Sequence, residues 1–212
     1  NFHNFNEENE NYLCLISEDG RFKKILIDED MIKTNRVFSV IKIKKNDYLK
    51  DSFISNQNEL LIILTSIGRL FKFDLSNKFI NPVSKQAQGS AIVKLFPQEK
   101  IISCCKCNNN NNLVVATKKG SFFSIKKNEI HNSHISKLGY LNEKLKIKND
   151  NFINILSEDE YGDIDTNKER YARVDFTKIE YDSKRKLYNT NFLQFNEDEQ
   201  IENLYVLKKL LD

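Results

Sequence analysis

The sequence predicts an all-β, propeller-like chain with four-stranded blades, in about four repeats of roughly 50 residues. Three observations predict it. The stretch from Leu61 to Cys104 reads as one complete unit of four short apolar runs separated by turns. A turn motif, Ser/Thr-x-x-Gly, recurs along the chain, its last residue falling at positions 20, 68, 120 and 169, spacings of 48, 52 and 49. The positions that follow each motif recur as well.

In the central unit, Leu61-Ile62-Ile63-Leu64 is rich in branched residues, as a buried strand requires. Thr65-Ser66-Ile67-Gly68 is a turn closed by the residue that takes positive φ at little cost. Leu70, Phe71 and Phe73 form the returning strand, with Arg69 and Lys72 among them. A polar loop carries Lys85 to Gly89. Ile92 to Leu95 is the third strand, Phe96-Pro97-Gln98-Glu99 a turn, and Ile101 to Cys104 the fourth strand.

The other units align on the turn. Ser17-Glu18-Asp19-Gly20 precedes Arg21 to Ile25, Thr117-Lys118-Lys119-Gly120 precedes Ser121 to Ile125, and Thr166-Asn167-Lys168-Glu169 precedes Arg170 to Val174. In the second halves, Lys33, Lys85, Lys137 and Arg185 fall nine residues before Lys42, Lys94, Lys146 and Gln194. Apolar Ile43, Leu95, Ile147 and Phe195 follow. An acid stands at Asp47, Glu99 and Glu199, with Asp150 displaced by one, and Leu49, Ile101, Ile153 and Ile201 open the last strands. The organisation is an acidic lead-in over 1–11, blades over 12–59, 60–112, 113–160 and 161–207, and a tail over 208–212. The fourth unit is the weakest. Glu169 replaces the turn glycine, and Tyr161-Gly162-Asp163-Ile164-Asp165 stands where an apolar run is expected. A degenerate blade and a deletion between 157 and 166 both account for this.

No apolar run approaches the roughly 18–20 residues of a membrane span. The acidic, Asn-rich first eleven residues are not a signal peptide, and the missing initiator Met suggests a segment of a longer protein. The Asn run from Asn108 to Asn112 reads as a loop insertion. The net charge of +3 hides a strong asymmetry. From Leu13 to Asp150 there are 24 Lys and Arg against 13 Asp and Glu, a net of +11, while the remainder carries −8. A basic body with acidic ends suits a polyanion, and a row of cations a blade apart suits a curved phosphate backbone. Outward lysines also serve solubility in any propeller.

The combined pattern runs strand, Ser/Thr-x-x-Gly, basic and aromatic strand, basic residue, Gly, Ile/Val-Lys-Leu/Ile, acidic turn and Ile. It resembles the repeat in the C-terminal domain of the DNA gyrase A protein, and the matching domain of topoisomerase IV is similar. The resemblance covers about residues 12–207, with Lys85 and Gly89 where that family usually has Arg and Gly. It implies a β-pinwheel, a propeller-like ring whose neighbouring blades exchange strands, which bends double-stranded DNA around a basic rim. It also implies that the cleaving tyrosine, Mg²⁺ and ATP sites lie outside this segment, so no cofactor is expected in it. Its partners are then DNA, a gyrase B-type subunit, and the rest of the gyrase A protein. Two features depart from the family. The A-box, a Gln-basic-basic-Gly-Gly-basic-Gly heptad, is absent, and Gln86-Ala87-Gln88-Gly89-Ser90 is its nearest echo. Gyrase domains usually carry six blades, against four here. The reading is a DNA-wrapping domain of a gyrase A protein, with a topoisomerase IV-type domain that captures DNA without chiral wrapping as the alternative. The Asn/Lys bias points to a plastid-like organelle of an AT-rich eukaryote, with an AT-rich bacterial cytoplasm as the alternative.

The expected phosphate contacts are Lys33, Arg36, Lys85, Lys137 and Arg185 in loops, then Lys23, Lys24, Arg69, Lys72, Lys94 and Arg173 on strands. A protein-binding propeller is the rival and predicts an exposed apolar patch with little salt dependence. An enzyme lacks any catalytic constellation. Cys104-Cys105-x-Cys107 with Cys14 lacks zinc-finger spacing and reads as buried thiols. His131 and His134 read as a surface pair, with no nucleophile motif beside them. The acidic run from Glu158 to Asp165 reads as a solvated linker or a competitor of DNA for the rim.

Overall fold

A computed structural model describes residues 10–33, 37–107, 112–141, 145, 147–158, 160–178, 195–196 and 198–207. The strands are β1 Tyr12–Ser17, β2 Arg21–Leu26, β3 Leu49–Ser55, β4 Leu60–Thr65, β5 Arg69–Asp74, β6 Ser90–Ala91, β7 Ile101–Cys107, β8 Leu113–Thr117, β9 Phe122–Ile125, β10 Tyr140–Leu141, β11 Phe152–Ser157, β12 Tyr161–Thr166, β13 Tyr171–Asp175 and β14 Ile201–Leu207. A short α-helix, α1 Glu29–Lys33, follows β2. Four antiparallel sheets result, ordered β3-β1-β2-β6, β7-β4-β5-β10, β11-β8-β9 and β14-β12-β13.

Each sheet is built on a hairpin, and the Ser/Thr-x-x-Gly turn makes it. The amide of the fourth residue donates to the carbonyl of the first at 3.0 Å in Ser17–Gly20 and in Thr65–Gly68, at 3.1 Å in Thr117–Gly120 and at 2.9 Å in Thr166–Glu169. That fourth residue is left-handed in every case, with φ of 83°, 80°, 78° and, for Glu169, 57°. The fourth repeat therefore keeps the turn at the cost of a strained side chain. Glu169→Gly is expected to raise stability by up to about 1 kcal/mol, because relief of the left-handed strain exceeds the entropy glycine adds to the unfolded chain; chemical denaturation measures it. A second turn lies beside the first. Asn46, Gln98, Asn149 and Asp198 are left-handed, each just before the repeating acid Asp47, Glu99, Asp150 or Glu199. Asp150 is thus in register with the others.

The third strand differs from the expected Ile92 to Leu95. It is the two-residue β6, and it pairs not with its own hairpin but with β2 of the preceding repeat, Phe22 opposite Ser90 and Arg21 opposite Ala91. β10 does the same for β5, pairing Leu70 with Tyr140. Ile92 and Val93 are buried outside any strand, and the Ile92 amide bonds to the Gly20 carbonyl at 3.0 Å. The branched pair reads as a strand but serves as a plug under the neighbouring turn. The fourth repeat also differs: Tyr161 to Thr166 is a strand paired on both sides, with a register shift against β14 at Asp165/Thr166. Its alternation buries Gly162, Ile164 and Thr166 on one face and leaves Asp163 and Asp165 on the other.

The core lies between successive sheets. One cluster joins Tyr12, Cys14, Ile16 and Phe22 to Leu61, Ile63, Phe71 and Phe73. The next joins Ile62, Leu64 and Leu70 to Leu113, Val115 and Ile125. The last joins Val114, Ala116 and Phe122 to Ile164, Val174 and Phe176. β4 and β8 are covered on both faces, which explains their unbroken apolar runs. The last strands β3, β7, β11 and β14 follow one another around a central cavity of about 910 Å³. Hydrogen bonds link them in turn: Cys104 Sγ to Asp51 Oδ2 at 3.3 Å, Ser103 Oγ to Asn154 Oδ1 at 2.5 Å, and Asn154 Nδ2 to the Leu204 carbonyl at 3.4 Å. The exchanged strands sit at the opposite edge of their sheets, so the loops carrying them form the outer rim.

Candidate nucleic-acid interface

Three lysines of the second hairpin strands turn inward. Lys23 and Lys24 are each 1% exposed. Lys23 Nζ donates to the carbonyls of Val40 and Lys85, both at 2.6 Å. Lys24 Nζ lies 4.1 Å over the Tyr12 ring and donates to the Leu75 carbonyl, to Asn77 Oδ1 at 2.8 Å and to the Ile80 carbonyl at 3.3 Å. Lys72, 48 positions on, reaches the Lys127 carbonyl of the third repeat at 3.4 Å. Burial lowers the pKa of all three amines. These lysines tie one repeat to the next, in place of the phosphate contacts expected of them.

Arg69 is a buried latch. Its Nε donates to Glu99 Oε1 at 2.9 Å, and its Nη2 to Glu99 Oε2 at 2.5 Å and to the Lys94 carbonyl at 2.8 Å. The guanidinium lies 4.4 Å from the Phe96 ring centre and 5.2 Å from that of Phe71. Burial alone would raise the Glu99 pKa, but hydrogen bonds from Arg69, the Phe96 amide and Thr65 outweigh it and hold the carboxyl below its ordinary value. Arg170 and Glu199 repeat the pair at 2.8 Å in the fourth repeat.

Other expected contacts are engaged at the surface. Lys33 pairs with Glu29 at 2.5 Å within α1. Lys85 pairs with Asp28 at 2.8 Å and lies 6.0 Å from the Phe38 ring centre. Arg173 grips Asp163 with two hydrogen bonds at 2.7 and 2.8 Å. Exposed pairs of this kind hold weakly, so they leave the cations available to a phosphate. Arg36 and Arg185 lie outside the described residues.

The regular row of Lys33, Lys85 and Lys137 does not form. The strand exchange sets the register: the Val83 amide bonds to the Lys24 carbonyl and the Ser133 amide to the Lys72 carbonyl, both at 2.8 Å, an offset of 50. Ile135, not Lys137, is the counterpart of Lys85, and Lys33 is the last residue of α1. Lys137 instead meets Lys94. The Lys94 amide donates to the Lys137 carbonyl at 3.2 Å, and the Ser136 amide to the Ile92 carbonyl at 2.9 Å. Both side chains are exposed, and neither has a partner among the described residues. This is a doubled cation on the rim, supplied by two repeats.

Lys42, Lys44 and Lys45 are also exposed, on the equivalent loop of the first repeat. They were legible as counterparts of the Lys94 segment, since the acid Asp47 follows at matching distance. Three of the four cysteines are buried, Cys105 being half-buried, and all are free thiols. Burial pushes the Cys14 thiol up to about 12. His131 sits edge-on against Tyr140, ring centres 5.2 Å apart.

No family model matches the chain, and no curated protein matches it in sequence. Solved structures do match. The fold is the β-pinwheel found in the C-terminal domains of topoisomerase IV and gyrase A. The chain is similar to the C-terminal domain of DNA topoisomerase IV, with a TM-score of 0.77 and 20% identity over 97% of this chain and 64% of that one. It is similar to the E. coli ParC C-terminal domain, with a TM-score of 0.63 and 15% identity over 94% and 80% of the two chains. It is similar to a DNA gyrase A C-terminal domain, with a TM-score of 0.64 and 19% identity over 93% and 66%. The chain thus spans less than two thirds of the first and third of these.

Proposed function

We propose that this chain binds duplex DNA along its outer rim and bends it, as the C-terminal domain of a gyrase A-like or topoisomerase IV-like protein. The observation that carries this is the exposed Lys94–Lys137 pair, held at the rim by the strand exchange itself. It is supported by the +11 balance of residues 13–150 and by the pinwheel fold. The chemistry is phosphate neutralisation with release of counterions, which reads backbone and shape rather than bases. Lys94→Glu combined with Lys137→Glu is expected to weaken duplex binding about 10- to 100-fold near 0.1 M salt and to lower the log–log salt slope by about two, measured by fluorescence anisotropy. An unchanged affinity would remove the rim from the interface.

The finer reading is gyrase-type wrapping. Relaxing a nicked plasmid by ligation in the presence of the domain tests it: a shift in linking number of one sign marks chiral wrapping, and no shift marks the topoisomerase IV-type alternative.

A further inference from the structure

The four Ser/Thr-x-x-Gly turns occupy one end of the sheets, and their central residues differ in charge from repeat to repeat. They are Glu18 and Asp19 in the first, Ser66 and Ile67 in the second, Lys118 and Lys119 in the third, and Asn167 and Lys168 in the fourth. The adjoining acidic turn sharpens the contrast. In the first repeat Asp19 bonds to Lys100 and Glu18 lies 4.0 Å from Lys50, so the charges cancel locally. In the third, the Lys118 amide donates to the Asn151 carbonyl at 2.8 Å and the Lys119 amide to Asp150 Oδ1 at 3.1 Å. These bonds bring the two turns side by side, and Lys148 precedes Asp150 by two residues on the second of them. All three lysines are exposed, and none has a side-chain partner among the described residues. The acid of this repeat is already engaged by backbone amides, since Asp150 Oδ1 also accepts from the Asn151 amide at 2.7 Å.

From this, we infer that the turn end of the third repeat is a second phosphate-binding site, formed by Lys118, Lys119 and Lys148, where duplex DNA crosses from the rim onto one face of the pinwheel. The inference rests on the rim reading proposed above and adds a direction to it. The duplex that leaves the Lys94–Lys137 pair meets three exposed cations at the third repeat, beside the strand whose Ile201 amide bonds the Lys118 carbonyl at 2.7 Å. On the outer face of the fourth sheet it would meet Asp163, which Arg173 pairs, and Asp165, which accepts from Asn203. Contact is therefore anchored at the third repeat.

The test is duplex binding across a salt series by Lys118→Glu/Lys119→Glu. The control is Lys78→Glu/Lys126→Glu, which makes the same change of charge at two exposed positions past the ends of β5 and β9 that lie far from the turns. The expected result is a loss of about 10- to 100-fold near 0.1 M salt for the first pair, with a slope lower by about two, and less than about 3-fold for the control. Equal losses in the two double variants would overturn the site, because net charge alone would then explain them. If the wild-type chain binds and Lys94→Glu/Lys137→Glu weakens it while Lys118→Glu/Lys119→Glu does not, this inference falls and the rim stands. If the wild-type chain fails to bind at low salt, both fall.

Discussion

Arg69→Met is expected to destabilise the fold by about 3–5 kcal/mol at neutral pH, because it leaves a buried carboxylate without its cation. Glu99 is 4% exposed and takes two hydrogen bonds from the guanidinium. For a chain of this size the change is a fall in melting temperature on the order of 10 °C. The pH dependence gives the effect a signature. In the native chain the Glu99 pKa is held below its ordinary value, so its contribution is complete above that value, near 4.5, and is lost as pH falls through the depressed one. In the variant, burial acts without the arginine, the pKa rises, and protonation relieves the cost. The penalty is therefore largest near pH 7 and shrinks towards pH 4. The double variant Arg69→Met/Glu99→Leu is expected to recover most of the loss, since well-packed apolar groups replace a buried pair at little cost. Denaturant melts at the two pH values measure all of this. A penalty that does not change between them would contradict the latch.

Gly89→Ala is the second large effect, at about 2–4 kcal/mol. Gly89 is left-handed, at φ 70°, and an added Cβ would stand 2.6 Å from the Phe22 carbonyl oxygen and 3.1 Å from Lys23 Cβ. Both neighbours belong to β2, so the methyl group collides where β6 crosses into the preceding sheet. Arg21 Nη1, which donates to the Gly89 carbonyl at 3.0 Å, would lose its partner as the loop moves. Ser90→Ala, one residue on at an exposed position, is expected to be nearly neutral and serves as the control. Thermal melts of the two variants compare them, and equal melting temperatures would show that the exchange contributes little.

Much of the fold was legible because the chain repeats itself. The Ser/Thr-x-x-Gly turns, the acidic turns and the apolar runs fixed the hairpins and their order, and even Glu169 kept its place in the motif. The resemblance implied that neighbouring blades exchange strands; what was not legible was which residues make the exchange. Nothing in Ile92-Val93-Lys94-Leu95 announces that its predecessors pair with the previous repeat while its apolar pair plugs a gap. The offset that sets Ile135 opposite Lys85 arises in the same exchange. The candidate site was legible in class and less so in detail. A Lys on a strand looks the same in sequence whether it points to solvent, as Lys94 does, or donates to buried carbonyls, as Lys23 and Lys24 do. Lys24 recurs in register at Lys72, and both reach carbonyls of the following repeat; the later counterparts, Ser124 and Arg173, make no such tie. The unpartnered lysines at the third turn were visible in Thr117-Lys118-Lys119-Gly120 but carried no meaning until the acidic turns were placed beside them.

The central claim is that the rim binds DNA by phosphate neutralisation. Titrating the wild-type chain against a fluorescent duplex of about 40 base pairs, from low to physiological salt, tests it most directly. The account predicts binding that weakens steeply, with a log–log slope of about −3 or steeper from the Lys94, Lys137 and third-repeat lysines, and no preference for sequence. Absent binding at low salt, or affinity indifferent to salt, would contradict it.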